Sequence, residues 1–296
     1  MTFRCSAAAR DRGDDRAGTA STVRTFLLVE HSGPWGVNAW RDARLPEGLG
    51  VEVLRRSGAA RIRPLLARTG ERSSGGGVRV LAAHAGGSAP WAEALQLDAW
   101  VDVLDLDLDS IGRGERPGWE PVTDPVLAVC THGKHDACCA ERGRPVAAAL
   151  RAAGRAVWEV SHIGGDRFAG NLVVLPHGFY YGGLDDDAGL RVAEAHAHGR
   201  LDLDHLRGRS AYAMPVQYAE IALRRHLGET RIGAVRLRHR HPEGDVFHTE
   251  FEHEGGGRWR VLVHTTPGEP GLLTCRAARP DPVPVHEVLV LERVAG

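Results

Sequence analysis

Three observations predict that the chain folds as an α/β protein, α+β overall. Residues 21–112 mix strand and helix patterns, which indicates an N-terminal α/β region. Residues 121–200 alternate short apolar runs of strand type with helical patterns, and they are expected to form a separate unit on which the first region packs. Residues 207–296 begin with a helical pattern and continue with strand-like runs, which predicts a C-terminal α+β region. Residues 1–20 are charged and lack the apolar core of a secretory signal, so they predict a disordered tail.

The N-terminal region begins with an apolar run at residues 23–29, which predicts a buried strand. Residues 51–68 combine apolar and arginine side chains in the pattern of an interrupted amphipathic helix. Apolar and acidic residues alternate along residues 100–108, a pattern typical of a strand with one solvent-facing side. Several glycines make residues 111–118 the expected linker to the next unit. No internal sequence repeat is apparent.

The unit at residues 121–200 predicts the element order β-α-β-β-β-α, which is close to half of a thioredoxin-like fold. Its parallel β-α-β part should have a right-handed crossover. The C-terminal region predicts a helix over residues 215–227, followed by strands separated by turns. In the central unit the expected strands are residues 126–130, 156–160, 172–175 and 179–181, and the expected helices lie near residues 145–150 and 188–198.

Composition restricts the function classes. A net charge of −1 at pH 7 gives no electrostatic reason to expect nucleic acid or an anionic membrane as a partner. The sequence has no run of about 18 uncharged apolar residues, so no membrane-spanning helix is expected. The five cysteines are odd in number and two are adjacent, so reduced thiols in a cytoplasmic protein explain them better than a disulfide framework. No Gly-x-Ser-x-Gly turn or carboxylate pair indicates a hydrolase.

Two polar turns carry the chemistry, and each follows a short strand-like run that can hold it rigidly. Thiols and imidazoles in such turns suit a borderline-soft metal such as zinc, or an iron–sulfur cluster. Zinc is the weaker match, because zinc sites usually contain closer Cys-x2–4-Cys pairs. The first turn contributes Cys130, Cys138 and Cys139, and the second contributes His162, Gly164, Gly165 and Asp166.

The spacing of these residues resembles that of the sucrase/ferredoxin-like family, whose thioredoxin-like ferredoxin domain carries Cys-x8-Cys followed by His-x-Gly-Gly-His. In that family the two cysteines hold one iron of a [2Fe–2S] cluster and the two histidines hold the other. The resemblance covers roughly residues 121–187, and it implies that Cys130 and Cys139 bind one iron while His162 binds the other. The chain differs at the last position, where Asp166 replaces the second histidine.

The replacement leaves the fourth ligand open. Either Asp166 binds iron through an oxygen, or it pairs with Arg167 while another side chain completes the site. The resemblance also implies that Gly164 and Gly165 let the backbone approach the cluster and donate N–H groups to its sulfides. The alternative ligands are Cys138, His132, His135 and His177, whereas Cys5 and Cys275 receive no role.

The resemblance implies an electron-transfer protein with a [2Fe–2S] cofactor, and a carrier rather than a catalyst. Its partner would be a redox protein whose identity the sequence does not reveal, and neither nucleic acid nor a membrane is expected as a partner. The alternative is a zinc-binding or cluster-free thioredoxin-like protein with a structural or interaction role.

Overall fold

The structure is a computed structural model that describes residues 2–70 and 77–294. Its main feature is a ten-stranded mixed sheet with helices packed on it, followed by a four-stranded antiparallel sheet. This architecture confirms the predicted α/β class, α+β overall. Among the described residues, no helix has both the length and the apolar character that a membrane crossing requires.

The N-terminal elements form one half of the ten-stranded sheet. A short 3-10 helix at Trp100–Asp105 accompanies them. In chain order they are α1 (Cys5–Arg12), β1 (Thr25–Glu30), α2 (Ala39–Asp42), α3 (Leu49–Ala59), β2 (Ile62–Arg68), β3 (Val78–His84), β4 (Trp91–Leu97), α4 (Leu108–Arg113) and β5 (Glu120–Pro121).

The elements that follow complete this sheet and build the second one. A single 3-10 turn at Asp166–Phe168 lies between β7 and β8. The remaining elements are β6 (Val126–Cys130), α5 (Ala137–Ala152), β7 (Val157–Val160), β8 (Leu172–Leu175), β9 (Phe179–Tyr181), α6 (Asp186–Ala197), β10 (Leu206–Arg209), α7 (Met214–Leu227), β11 (Val235–Glu243), β12 (Val246–His253), β13 (Arg258–Gly271) and β14 (Asp281–Val294).

One topology occurs twice in the ten-stranded sheet. Its strand order is β10-β9-β8-β6-β7-β2-β1-β3-β4-β5. In the second half, β6 pairs in parallel with β7 across helix α5 and antiparallel with β8. In the first half, β1 pairs in parallel with β2 across α3 and antiparallel with β3. The chain therefore contains two half-sheets of the same topology, although no sequence repeat reveals them.

The half-sheets join through β2 and β7, and the joint is short. The two strands run antiparallel and overlap only at their C-terminal ends, where Ala67 pairs with Val160 and Arg68 pairs with Glu159. Because β1 and β6 run parallel to these strands, the loops that follow them are brought to the same seam. A core cluster of buried side chains continues across it, from Phe26 and Leu65 in one half to Val160 in the other.

The charged N-terminal segment is ordered, which corrects the prediction of a disordered tail. Helix α1 forms there, and its Cys5 and Ala9 are buried while most of its charged side chains face outward. Ala17 and Ala20 are also buried, and Ala20 belongs to the core that spans the seam. Small apolar side chains pack closely without a long hydrophobic run, so charge content alone gave the wrong prediction.

Three further predictions in the N-terminal half are wrong. The interrupted helix predicted over residues 51–68 is helical only to Ala59, and residues 62–68 form strand β2. The predicted strand at residues 100–108 is a 3-10 helix followed by the start of α4. Its acidic residues bind nearby backbone instead of lining a wet strand face: Asp102 accepts from the Ala99 N–H at 2.8 Å, and Asp107 accepts from the Ser110 N–H at 3.0 Å. The predicted linker at residues 111–118 includes the end of α4, where Ile111 is buried.

The C-terminal sheet packs on α7, whose Val216, Ala219 and Leu223 contact Phe251 and Val261. Strand β10 joins the ten-stranded sheet through β9, so the C-terminal region is attached to the main sheet as well.

A buried ion group connects α7 to β10. Glu220 accepts from Arg209 of β10 and from Arg224 of α7, both at 2.9 Å. Burial by itself raises the pKa of Glu220, but the two guanidinium groups outweigh it and hold the pKa below its usual range. The carboxylate therefore stays charged between two buried cations.

We expect Glu220→Gln to lower the free energy of unfolding by about 3 kcal/mol, because it leaves two buried guanidinium groups without their anion. Chemical denaturation at pH 7 measures this loss. Glu252→Gln is the matched control, since Glu252 pairs with Arg238 on the exposed surface and its loss should change stability little. Because the folded pKa of Glu220 is depressed, the difference between the native chain and Glu220→Gln should shrink as the pH falls below 4.5. An equal effect of both substitutions would contradict this account.

Candidate metal centre

The candidate centre lies at the C-terminal ends of β6 and β7, beside the seam. Cys130 is the last residue of β6, and its N–H donates to the Asn171 carbonyl at 2.9 Å. Cys139 lies in the first turn of α5, which begins where the Asp136 carboxylate accepts from the Cys138 N–H at 2.9 Å. His162 follows the end of β7 by two residues. Strand ends and a capped helix therefore hold the three side chains.

The structure brings together the four residues that the sequence analysis placed at the centre. Ligand atoms of Cys130, Cys139 and His162 all lie within 4.8 Å of one another. Asp166 Oδ1 is 3.2 Å from Cys139 Sγ and 2.9 Å from His162 Nδ1. The thiols and the carboxylate are buried, whereas the His162 side chain is 26% exposed. The imidazole is therefore the member of this group that reaches solvent.

The two thiols have pKa values shifted in opposite directions. The neighbouring Cys139 thiol and His162 hold the pKa of Cys130 well below its usual range despite burial. The Cys130 sulfur, burial and the Asp166 carboxylate, which accepts from Cys139 Sγ at 3.2 Å, raise the pKa of Cys139 well above its usual range. Cys130 is therefore the more acidic thiol of the pair.

His162 and Asp166 form an ion pair. Burial lowers the pKa of His162, but the Asp166 carboxylate and the Cys130 sulfur outweigh it and raise the pKa to about 9. Burial raises the pKa of Asp166, and the His162 charge more than reverses this effect. The metal-free centre therefore holds a positive charge among anionic ligand atoms. A metal cation that displaces this proton would meet thiolate, imidazole and carboxylate donors, so the residues present fit a metal or cluster.

His135 is the one alternative ligand that lies at the centre. Its ring stacks on that of His162 with 3.9 Å between centroids, and its Nε2 is 3.7 Å from Asp166 Oδ2. His132 has both nitrogens occupied: Nε2 is 2.7 Å from the Gly36 carbonyl, and Nδ1 accepts from the His162 N–H at 3.3 Å. His132 is thus a buried positioning residue that connects the two half-sheets.

The other two alternatives lie elsewhere. His177 follows the far end of β8, because Leu175 of that strand pairs with Val126 at the start of β6. The Cys138 sulfur faces away from the centre and lies 3.4 Å from the sulfur of Cys275. Arg167, which one of the two alternatives paired with Asp166, instead has its Nε 3.4 Å from Asp14 Oδ2.

The two glycines of the second turn are explained by close packing. Gly164 and Gly165 have φ of 95° and 78°, which non-glycine residues rarely adopt. A Cβ on Gly164 would lie 2.3 Å from Ser21 Oγ, and one on Gly165 would lie 2.1 Å from a terminal nitrogen of Arg207. The turn therefore needs both glycines even before a cofactor is considered.

Arg207 is a member of the site that the sequence analysis missed. Its guanidinium is fully buried behind the turn and donates to the Gly164 carbonyl at 3.0 Å and to Asn171 Oδ1 at 2.8 Å. Asn171 in turn donates to the Gly165 carbonyl at 2.8 Å. Burial lowers the pKa of Arg207 to about 10. An arginine within a short strand carries no sequence signal for burial, so only the structure reveals it.

Fold and site together define an α/β protein in which buried thiols, a buried carboxylate and a partly exposed imidazole can bind a metal. The family model described as sucrase/ferredoxin-like matches residues 17–208. The chain therefore belongs to the sucrase/ferredoxin-like family, as the Cys-x8-Cys and His-x-Gly-Gly spacing predicted. No curated protein and no solved structure matches the chain.

We expect His162 of the metal-free protein to titrate with a pKa of about 9, measured from imidazole C–H chemical shifts. Asp166→Asn removes the charge that stabilises the imidazolium, so it should lower this pKa, whereas Asp202→Asn, beside His205, should leave it unchanged. Because the pKa rises on folding, protonation of His162 stabilises the fold below pH 6.5, and this contribution disappears as the pH rises through about 9. An unchanged pKa in Asp166→Asn would refute the ion pair.

Proposed function

We propose that this protein is an electron carrier that holds a [2Fe–2S] cluster between the loops after β6 and β7. Cys130 and Cys139 would bind the inner iron, and His162 with Asp166 would bind the outer iron. The observation that carries the proposal is the convergence of these four side chains at two strand ends. Membership in the sucrase/ferredoxin-like family supports the choice of cluster.

A bound cluster of this kind supplies one-electron transfer, and the protein sets its potential through ligand charge, hydrogen bonds and exposure. The buried thiolates keep the inner side dry. The His162 side chain is 26% exposed, and the His135 ring stacks on it, so this edge is the part of the site that reaches solvent. We infer that a redox partner protein docks there.

Two charges act on the potential in opposite directions. Asp166 is anionic, so as a ligand it favours the oxidised cluster and lowers the potential relative to a pair of histidines. Arg207 lies buried behind the same turn, and its charge interacts with Asp166. A buried cation favours the added electron of the reduced state. Asp166 would bind the outer iron directly, whereas Arg207 lies behind the turn. We therefore expect Asp166 to have the larger effect on the reduction potential.

The proposal includes a reducing, cytoplasmic setting. The five cysteines are free, and all of them lie in the described residues. Four of the five are buried, and they belong to two groups of potential metal ligands. Clustered cysteines of reducing compartments more often bind metals than form disulfides.

A zinc centre is the second candidate, and one observation favours it. Cys130, Cys139 and His162 surround a single point closely enough to hold one ion, with Asp166 as the fourth donor. Zinc would leave the protein colourless and redox-silent. Anaerobic purification followed by iron, sulfide and zinc analysis and an absorption spectrum separates the two candidates.

We expect Cys130→Ser and Cys139→Ser to remove iron and acid-labile sulfide together, by at least tenfold, because each removes a thiolate that the inner iron requires. Cys138→Ser is the matched control, since its sulfur faces Cys275 instead of the centre, and it should retain the iron. Metal and sulfide content after anaerobic purification measures both effects. Loss of iron in Cys138→Ser with retention in Cys139→Ser would show that the wrong neighbour was chosen.

We expect Asp166→His to raise the reduction potential by on the order of 100 mV, because a neutral imidazole replaces an anionic ligand. It should also lengthen the lifetime of the cluster in air, while Asp166→Ala should shorten it. Protein-film voltammetry and the decay of visible absorbance measure the two quantities. Asp245→His, in the hairpin between β11 and β12, controls for an added histidine. If Asp166→His leaves spectrum, potential and lifetime unchanged, Asp166 is not a ligand.

A further inference from the structure

A second group of potential ligands lies on the other side of the first turn of α5. Cys138 of α5, Cys5 of α1 and Cys275, on the connection between β13 and β14, meet there with Asp136. Cys5 and Cys275 are 270 positions apart, and no sequence spacing connects them. The five cysteines of the chain thus divide into the pair at the centre and this group of three.

The separations within the group match a tetrahedral metal site. Zinc–sulfur bonds of about 2.3 Å place two tetrahedral sulfurs about 3.8 Å apart, and a sulfur and an oxygen about 3.6 Å apart. Cys275 Sγ lies 3.4 Å from Cys138 Sγ and 3.6 Å from Cys5 Sγ. Cys5 Sγ lies 3.6 Å from Asp136 Oδ2. Small adjustments would therefore place all four donors on one ion.

The surroundings hold these donors in place. Asp136 accepts from the Cys138 N–H at 2.9 Å and from the Cys275 N–H at 2.6 Å, so one carboxylate fixes two of the three cysteines. The Cys5 N–H points to Cys275 Sγ at 3.5 Å, a direction that favours a thiolate. These contacts resemble the outer hydrogen bonds that orient ligands in metal sites.

Burial and charge also suit a resident ion. Cys5, Cys138 and Asp136 are buried, and only Cys275 reaches partly to the surface, which leaves an entry path. On the surface above, Arg4, which immediately precedes α1, pairs with Glu141 of α5 at 2.5 Å, so the start of α1 is already connected to α5 beside the group. No disulfide forms among these sulfurs.

We propose that Cys5, Cys138, Cys275 and Asp136 bind one zinc ion, which fastens α1 and the β13–β14 connection to the first turn of α5. Binding converts the thiols to thiolates and releases their protons to solvent, with no redox change. Three thiolates with one carboxylate select zinc over magnesium or calcium. The neighbours Cys138 and Cys139 then face two different centres. This proposal stands independently of the cluster proposed above.

The test measures zinc and iron per chain in full-length protein produced with both metals and purified without chelators. In Cys5→Ser and in Cys275→Ser, the zinc bound at this site should fall at least tenfold from one ion per chain, while the iron content stays the same. Cys130→Ser is the matched control and should keep this zinc. If the centre at Cys130 binds zinc instead of a cluster, Cys130→Ser will lose that zinc ion and keep the one bound by Cys5 and Cys275. Failure of the cluster proposal can therefore be told apart from failure of this one.

A second measurement covers variants that fold poorly. Cobalt(II) added to chelator-treated protein should give the intense visible bands of a tetrahedral thiolate site in the native chain. Cys275→His should keep tetrahedral cobalt bands with weaker sulfur charge-transfer absorption, because one thiolate is replaced by an imidazole. Unchanged zinc in Cys5→Ser and Cys275→Ser, iron in place of zinc, or a Cys138–Cys275 disulfide found by mass spectrometry would each overturn the proposal.

Discussion

The buried carboxylate of Asp136 fixes the first turn of α5 and so the positions of Cys138 and Cys139. It accepts from the Cys138 N–H and so begins the helix at a fixed residue. Cys138 and Cys139 follow at once, and the helical twist sends their side chains to different sides. The same carboxylate binds the Cys275 N–H and lies beside Cys5 Sγ, which draws both ends of the chain to this turn. Helix cap, cysteine geometry and terminal packing therefore depend on one group that has almost no contact with water.

The second constraint is the pairing of β2 with β7. Two half-sheets of the same topology meet by the C-terminal ends of these strands. This arrangement turns the loop after β1 toward the loop after β6, where the Gly36 carbonyl lies 2.7 Å from His132 Nε2. One half thus supplies the sulfur and imidazole groups, while the other covers and orients them.

Groups formed by residues that lie close together in the sequence were predictable, whereas groups formed by residues from distant parts of the chain were not. The order of elements between β6 and α6 follows from short-range patterns, and the resemblance to the family implied the approach of Cys130, Cys139 and His162. The group that contains Cys5 and Cys275 follows from neither, because it depends on how the two ends of the chain return to α5. Burial of Arg207 was equally hidden, since its partners are backbone carbonyls, a side-chain amide and a threonine hydroxyl far away in the sequence. The strand predicted at residues 100–108 failed because short acidic side chains can cap local turns as readily as they can face water.

Cys130 and Cys139 belong to the same apolar cluster that joins the two half-sheets. Anything held between these sulfurs is consequently part of the interior packing as well as a cofactor. If a metal or cluster is bound there as proposed, its loss removes the bonds that tie these side chains together, and a chain with fewer such bonds visits locally open states more often. Proteases cleave chains from open states, and ligands that bind only the native state suppress them. For a chain that holds the proposed metal or cluster, survival of the polypeptide in the cell would then depend on retention of that group, and copies that had lost it would be degraded first.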